Sequence, residues 1–247
     1  MKNIFYILLF ISQVFFAQTG FEKGNDFYQK GKYELAIKAY ESVLNDNKES
    51  VQLYFNLGNS YYKLHQTAPA IYNYEKALVL EPCNAAVLNN IKFAQKQTID
   101  EIKVVPKVGF AKLLRDFTGI YPFETWAWIT IAFAMLFLVF FMVYYFSQSI
   151  VAKRVFFLGM FVVLLLMAMS MSSAFFEKSY FDNEKPAIVF AESAEVRSEP
   201  QKASHATFVL HEGTKVYVLE KLGNWKKIQL TDGTEGWIDS NAIKEVK

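Results

Sequence analysis

Apolar positions along this chain follow three successive rhythms. Between Gly24 and Leu80 they recur at helical spacing, and the pattern is written twice. At an offset of 34 residues Gly24 falls on Gly58, Asn25 on Asn59, Tyr28 on Tyr62, Ala36 on Ala70, Tyr40 on Tyr74 and Leu44 on Leu78. A period of that length predicts a repeated helix–turn–helix unit. The glycine sits where the first helix approaches the second, the alanine keeps the facing wall small, and the tyrosine and leucine continue the same helix face. Thr67 is placed to cap the second helix of the second unit, with Pro69 in its first turn and Pro82 as its stop. A further helix, Ala85 to Gln97, reads as a terminal cap. Two units and a cap fall short of the roughly three repeats such arrays need. Support is therefore expected from the membrane, from another part of the chain, or from a partner.

The second rhythm is unbroken. Trp126–Phe146 and Val155–Phe176 carry no charged residue, and each is long enough to span a bilayer. Leu, Ile, Phe and Val favour insertion by roughly 0.3–0.6 kcal/mol apiece at a helix centre. Spans are expected over 124–146 and 155–176, joined by a loop over 147–154. Lys153 and Arg154 put that loop in the cytoplasm by the positive-inside rule, so the chain returns to its starting side. Trp126 and Trp128 suit one interface, Tyr144 and Tyr145 the other. Ser170, Ser172 and Ser173 are read as satisfying helix backbone. No Asp, Glu, Lys, Arg or His lies within Trp126–Phe146 or Val155–Phe176, which disfavours a pump or ion relay. Ahead of them Phe110, Leu113, Leu114 and Phe117 predict an amphipathic helix within a linker region over 98–123. That helix lies along the membrane surface or packs on the capping helix, the surface being preferred.

From Pro186 the period becomes that of strands. "KVYVLEK" alternates, and "WKKIQLTDGTEGWI" reads as a hairpin turning at Asp232–Gly233. At the other end Lys2 precedes an apolar run from Ile4 to Ala17, too short to span. This reads as a secretory signal over 1–17, with an uncleaved anchor or a buried helix as the alternatives.

Composition adds exclusions. The chain of 247 residues is 53% hydrophobic and 17% aromatic, with an excess that is local to the apolar segments. A net charge of +2 gives no case for nucleic acid. The single cysteine, Cys83, has no partner for a disulfide and reads as a small packing residue at a helix end. His205 and His211 have no carboxylate or cysteine at motif spacing, so no metal is expected. Nucleophile elbows, phosphate loops and HExxH are absent from the sequence. The expectation is no catalytic residue, no cofactor and no enzyme.

The repeat resembles the tetratricopeptide (TPR) family over roughly residues 18–83, as units 18–50 and 51–84 within a region ending at 97. The resemblance implies peptide binding on the wall lined by the first helix of each unit. The groove residues would then be Phe21, Asn25, Tyr28, Gln29, Phe55, Asn56, Asn59, Tyr62 and Lys63. Asn25 and Asn56 match the asparagines of the carboxylate-clamp type, but Phe21, Ala86 and Asn90 stand at its basic places. That departure argues for an aromatic, polar groove. "VRSEP", Gly213, Trp225 and "DGTEGWI" over 186–247 resemble the bacterial SH3-like (SH3b) domain. Such domains bind cell-wall peptides or dock proteins. Trp225 and Trp237 either form such a wall or pack the barrel core.

The whole order resembles the BatE-like TPR/SH3b membrane proteins of the Bacteroides aerotolerance (Bat) cluster. That resemblance implies a multidomain membrane protein: all-α TPR repeats, a two-helix transmembrane hairpin and a small all-β SH3-like barrel. It implies residence in the bacterial inner membrane with both modules periplasmic. The partners it implies are envelope proteins of the same cluster, or peptidoglycan. The role it implies is a non-enzymatic scaffold tied to aerotolerance or oxidative stress.

Overall fold

The computed structural model describes residues 20–100, 102 and 109–247. The signal expected over 1–17 lies outside the described residues. The chain forms two compact units. One joins the described residues up to Ile102 with Lys185–Lys247, and the other runs from Gly109 to Glu184.

The first unit begins with five helices: α1 over residues 20–29, α2 Tyr33–Asn45, α3 Val51–Lys63, α4 Thr67–Leu80 and α5 Ala85–Gln95. Ser50 and Asn84 cap α3 and α5 by accepting from the backbone N–H of Leu53 and Val87, each at 3.1 Å. The helices pair because their small residues are aligned. A Cβ on Gly58 would lie 2.6 Å from the Tyr74 ring, and one on Gly24 would lie 2.3 Å from the Tyr40 ring. Ala36 and Ala70 are fully buried opposite. Thr67 does not cap α4, as was expected of it. Gln66 is the N-cap, without a side-chain bond, and Thr67 is its buried first helical residue. Its Cγ2 would lie 3.0 Å from a Cβ on Gly213, so Thr67 is used for packing. Cys83 is exposed, against the packing role read from sequence, because it follows the end of α4 in a solvated turn.

Lys185–Lys247 forms a seven-stranded antiparallel sheet: β1 Pro186–Val189, β2 Ser193–Arg197, β3 Ala206–His211, β4 Lys215–Leu222, β5 Trp225–Gln229, β6 Glu235–Asp239 and β7 Ile243–Glu245. The spatial order is β3-β2-β6-β5-β4-β1-β7. Alternate residues such as Val196, Val216, Ile228 and Ile238 fill its core. Gly233, at φ +91, makes the β5–β6 turn, and the Thr234 N–H bonds to Asp232 Oδ1 at 2.9 Å.

The two halves of this unit share one core. Ile188 of β1 and Val246, just past β7, are fully buried in the helical cluster with Ile71, Tyr74 and Val87. Phe190 meets Tyr72 edge-on, with centroids 5.7 Å apart. The barrel edge supplies the support that two repeats and a cap lack.

The second unit holds α6 Phe110–Thr118, α7 Phe123–Phe146 and α8 Ile150–Asn183. Ser149 caps α8, so the connection is only 147–149, and Lys153 and Arg154 lie near the start of α8 rather than in a loop over 147–154. α8 also continues past 176 to Asn183. Both long helices meet the length and apolarity for crossing a membrane. Gly159 lets α8 approach Phe140, and Ser170 bonds Thr130 across the pair at 2.8 Å. Outward residues such as Trp128, Met135, Leu158, Leu165 and Phe175 are mostly exposed, an apolar surface far beyond that of a water-soluble monomer. α6 packs on α8 through a charged clamp. Glu177 accepts from Arg115 at 2.6 Å and from the Thr118 hydroxyl at 2.7 Å. The Arg115 guanidinium lies 3.7 Å from the Tyr180 ring. Trp126 is buried beneath this helix, donating to the Thr118 carbonyl at 2.7 Å, and so is not an exposed belt residue.

Truncating Ile188 to alanine should cost about 2–5 kcal/mol, as for other fully buried aliphatics. The loss should appear in the TPR helices as well as the barrel. Hydrogen exchange of the full chain in detergent should show α4 and β4 amides accelerating together. Unchanged protection of α4 would mean that the shared core contributes nothing to the repeats.

Candidate functional site

The wall formed by α1, α3 and α5 carries a repeated polar ladder. Asn25 Oδ1 accepts from the Tyr40 hydroxyl at 2.7 Å and from Asn56 Nδ2 at 2.9 Å. One repeat later Asn59 Oδ1 accepts from Tyr74 at 2.7 Å and from Asn90 Nδ2 at 2.8 Å. The aromatic neighbours repeat as well: Phe21 lies 5.8 Å from Tyr40, and Phe55 lies 6.1 Å from Tyr74. Burial pushes the Tyr40 phenol up to about 12 and raises that of Tyr74, so both are hydroxyl donors at neutral pH. The side-chain carbonyls of Asn25 and Asn59 are thus committed. Among the described residues the amide N–H groups of Asn25 and Asn59 and the side-chain carbonyls of Asn56 and Asn90 carry no other hydrogen bond.

A recess of about 230 Å³ opens on this wall, lined by Tyr28, Asn59, Tyr62, Lys63, Tyr74, Asn90 and Phe93. The structure brings together four of the residues singled out from sequence, Tyr28, Asn59, Tyr62 and Lys63. Phe21, Asn25, Phe55 and Asn56 are half-buried on the same two helices, and Gln29 is exposed at the end of α1. Phe93 on α5 was not expected in the groove, and Asn90 was placed there only as a departure from the carboxylate clamp. Carrying the 34-residue offset one step further would have found them, since Asn56 maps onto Asn90 and Asn59 onto Phe93.

Trp225 and Trp237 are both half-buried. They occupy the strand positions that alternate with buried Lys226, Ile228, Gly236 and Ile238, so they share the sheet face turned away from the barrel core. Trp237 is paired with Arg197 and Lys227, Trp225 with Asp239.

The junction between helices and barrel holds two polar links that sequence spacing did not reveal. Asp100, just past α5, accepts from the His211 backbone N–H at 2.7 Å and from the Thr214 hydroxyl at 2.6 Å, and its other oxygen lies 2.7 Å from His211 Nδ1. His211 therefore has a carboxylate partner that lies at no motif spacing, because the fold closes a gap of 111 residues. Burial works against ionisation of Asp100, but these hydrogen bonds outweigh it and lower its pKa below the usual 3.8. Glu75 of α4, only 8% exposed, pairs with Lys215 of β4 at 2.8 Å.

Comparison with known proteins agrees with both modules. Residues 24–65 match the TPR repeat family, residues 51–82 the tetratricopeptide repeat, and residues 192–244 the bacterial SH3 domain. The chain is also similar to the uncharacterized protein ycf37 of Guillardia theta, at 32% identity over 92 residues, covering 32% of this chain and 52% of that relative. It thus spans about half of the relative's length. TPR repeats and SH3b domains are binding modules rather than typical catalysts. The fold and site define a TPR array fused to an SH3-like barrel, with two candidate membrane-crossing helices inserted between them.

Because the folded-state pKa of Asp100 is depressed, its contribution to the junction is present above the unfolded value of about 3.9 and is lost as pH falls through the folded one. The Asp100→Asn variant should unfold more readily than the parent near neutral pH, and the difference should shrink on acidification below about pH 4. Denaturant titrations of the full chain at several pH values check this. A difference independent of pH would remove the ionised carboxylate from the account.

Proposed function

We propose that this protein is a non-enzymatic, membrane-anchored scaffold whose concave TPR wall holds an extended segment of a partner protein. The asparagine ladder carries the reading. A peptide backbone offers one N–H and one C=O per residue, and an asparagine amide complements that pair. Here the ladder leaves donors at Asn25 and Asn59 and acceptors at Asn56 and Asn90, beside half-buried aromatic rings that can take apolar side chains. Phe21, Tyr28, Phe55, Tyr62 and Phe93 would set side-chain preference, while Gln29 and Lys63 would act at the rim.

In this reading the inserted hairpin, α7 and α8, crosses the bacterial inner membrane twice. A segment inserted within one packed unit can cross a bilayer only an even number of times, which supports both modules facing the periplasm. α6 lies at the membrane surface, clamped to α8 through Glu177. The partners are other envelope proteins, and the module order, which resembles the Bat-cluster proteins, favours a role in aerotolerance or oxidative stress. The outward Trp225 and Trp237 favour a second reading, in which the SH3b face holds peptidoglycan and anchors the scaffold to the wall.

Photo-crosslinkers at Phe55 and Tyr62, in native membranes, should trap a reproducible protein partner, and Asn59→Ala should abolish that product. The same chain in detergent should not sediment with purified peptidoglycan. Co-sedimentation lost on Trp237→Ala, without any crosslinked protein, would replace the scaffold reading by the wall anchor. The full chain is needed for this test, because residues 186–247 alone would expose Ile188 and Val246.

A further inference from the structure

A second cleft lies on the opposite side of the repeats, where α2, α3 and α4 meet the barrel. It has a volume of about 270 Å³. Its floor is aromatic, made by Tyr54, Tyr61, Tyr72 and Phe190. Lys76 lies 5.8 Å from the Tyr54 ring centre, and Lys244 of β7 lies 4.3 Å from that of Tyr72 and 5.8 Å from that of Phe190. An ammonium over an aromatic face is held electrostatically without being neutralised.

The charges here differ from those of the neighbouring barrel lysines. Lys215 is paired with Glu75 at 2.8 Å, and Lys226 with Glu245 at 2.7 Å. Among the described residues, neither Lys76 nor Lys244 has a carboxylate within salt-bridge distance. The carboxylate that does line the cleft, Glu41, accepts the Tyr61 hydroxyl at 2.7 Å. Glu49 likewise accepts that of Tyr54 at 2.8 Å. Asn73 donates to the Pro69 carbonyl at 2.8 Å, which leaves its side-chain oxygen for a backbone N–H. The cleft therefore presents two cations without an ion-pair partner over an aromatic floor, while Glu41 and Glu49 are each held by a floor phenol.

We propose that this cleft docks an acidic, apolar-flanked segment of a second protein. The carboxylates of that segment pair with Lys76 and Lys244, and its apolar side chain rests on Tyr72 and Phe190. The site is distinct from the asparagine wall, and Phe190 and Lys244 of its lining belong to the barrel. It exists only while the repeats and the SH3b domain share their core. One chain thereby holds two segments at once, on opposite walls of the same repeats.

The probe is a fluorescein-labelled, acetylated peptide of alternating Glu and Leu, compared with a Lys/Leu counterpart of equal length. The full chain in detergent micelles is titrated by anisotropy. The acidic peptide should bind saturably, and the Lys/Leu peptide should bind at least about tenfold more weakly. Lys76→Glu with Lys244→Glu should weaken the acidic peptide about tenfold, with an unchanged unfolding midpoint. Asn59→Ala on the other wall should leave this affinity unaltered, which keeps the result separate from the groove proposed above. Equal binding of the two peptides, no saturable binding, or no loss in the double variant would overturn the proposal. Displacement by a soluble muropeptide but not by unlabelled acidic peptide would assign the cleft to the cell wall and overturn it equally.

Discussion

Burial of Ile188 and Val246 among the TPR helices is the constraint on which the remaining architecture depends. Two helical repeats and a cap leave an apolar face on α4 that no third repeat covers, and stacking of neighbours is what stabilises such arrays. Here β1 and the chain just past β7 take the place of the missing neighbour. The polar links at the rim, Asp100 to His211 and Thr214 and Glu75 to Lys215, fix its register. Glu75 is nearly buried, so its pairing with Lys215 avoids an uncompensated charge in the interface.

This shared core also bears on how the chain is threaded. The helical and barrel halves of one compact unit are separated in sequence by α6, α7 and α8. Whatever the hairpin does, it must deliver the chain back to the unit that it left. Two apolar helices joined by three residues suit that requirement, and Glu177 with Arg115 and Thr118 ties the entry helix to the exit helix. The closed geometry then allows the repeats to use both walls: an asparagine ladder on one, an aromatic cleft with two unneutralised lysines on the other.

Much of this was legible in the sequence because it depends on local periodicity. The 34-residue offset located Gly24 and Gly58 where the helices approach, though not that the Tyr40 and Tyr74 rings fill the approach, and the alternation after Pro186 located the strands. The groove was partly legible, since Asn25 and Asn59 share a register. Phe93 was missed because α5 keeps only part of the repeat signature. Thr67 misled because a good capping residue was also small enough to pack beneath Gly213. The junction was not legible at all. Asp100 and His211 lie 111 residues apart in the chain, and no spacing rule joins a loop carboxylate to a strand histidine across an inserted hairpin. The helix start at Ile150 was displaced from the expected boundary by the Ser149 cap, a local signal overridden by the apparent loop character of the basic pair.

The central claim, that repeats and barrel form one body, is tested most directly by zero-length carbodiimide coupling in native membranes. Glu75 and Lys215 lie 2.8 Å apart across the junction, and Lys226 and Glu245 lie 2.7 Å apart within the barrel as an internal control. Mass spectrometry should recover both amide-linked peptide pairs. Recovery of the Lys226–Glu245 link without the Glu75–Lys215 link would contradict the shared core.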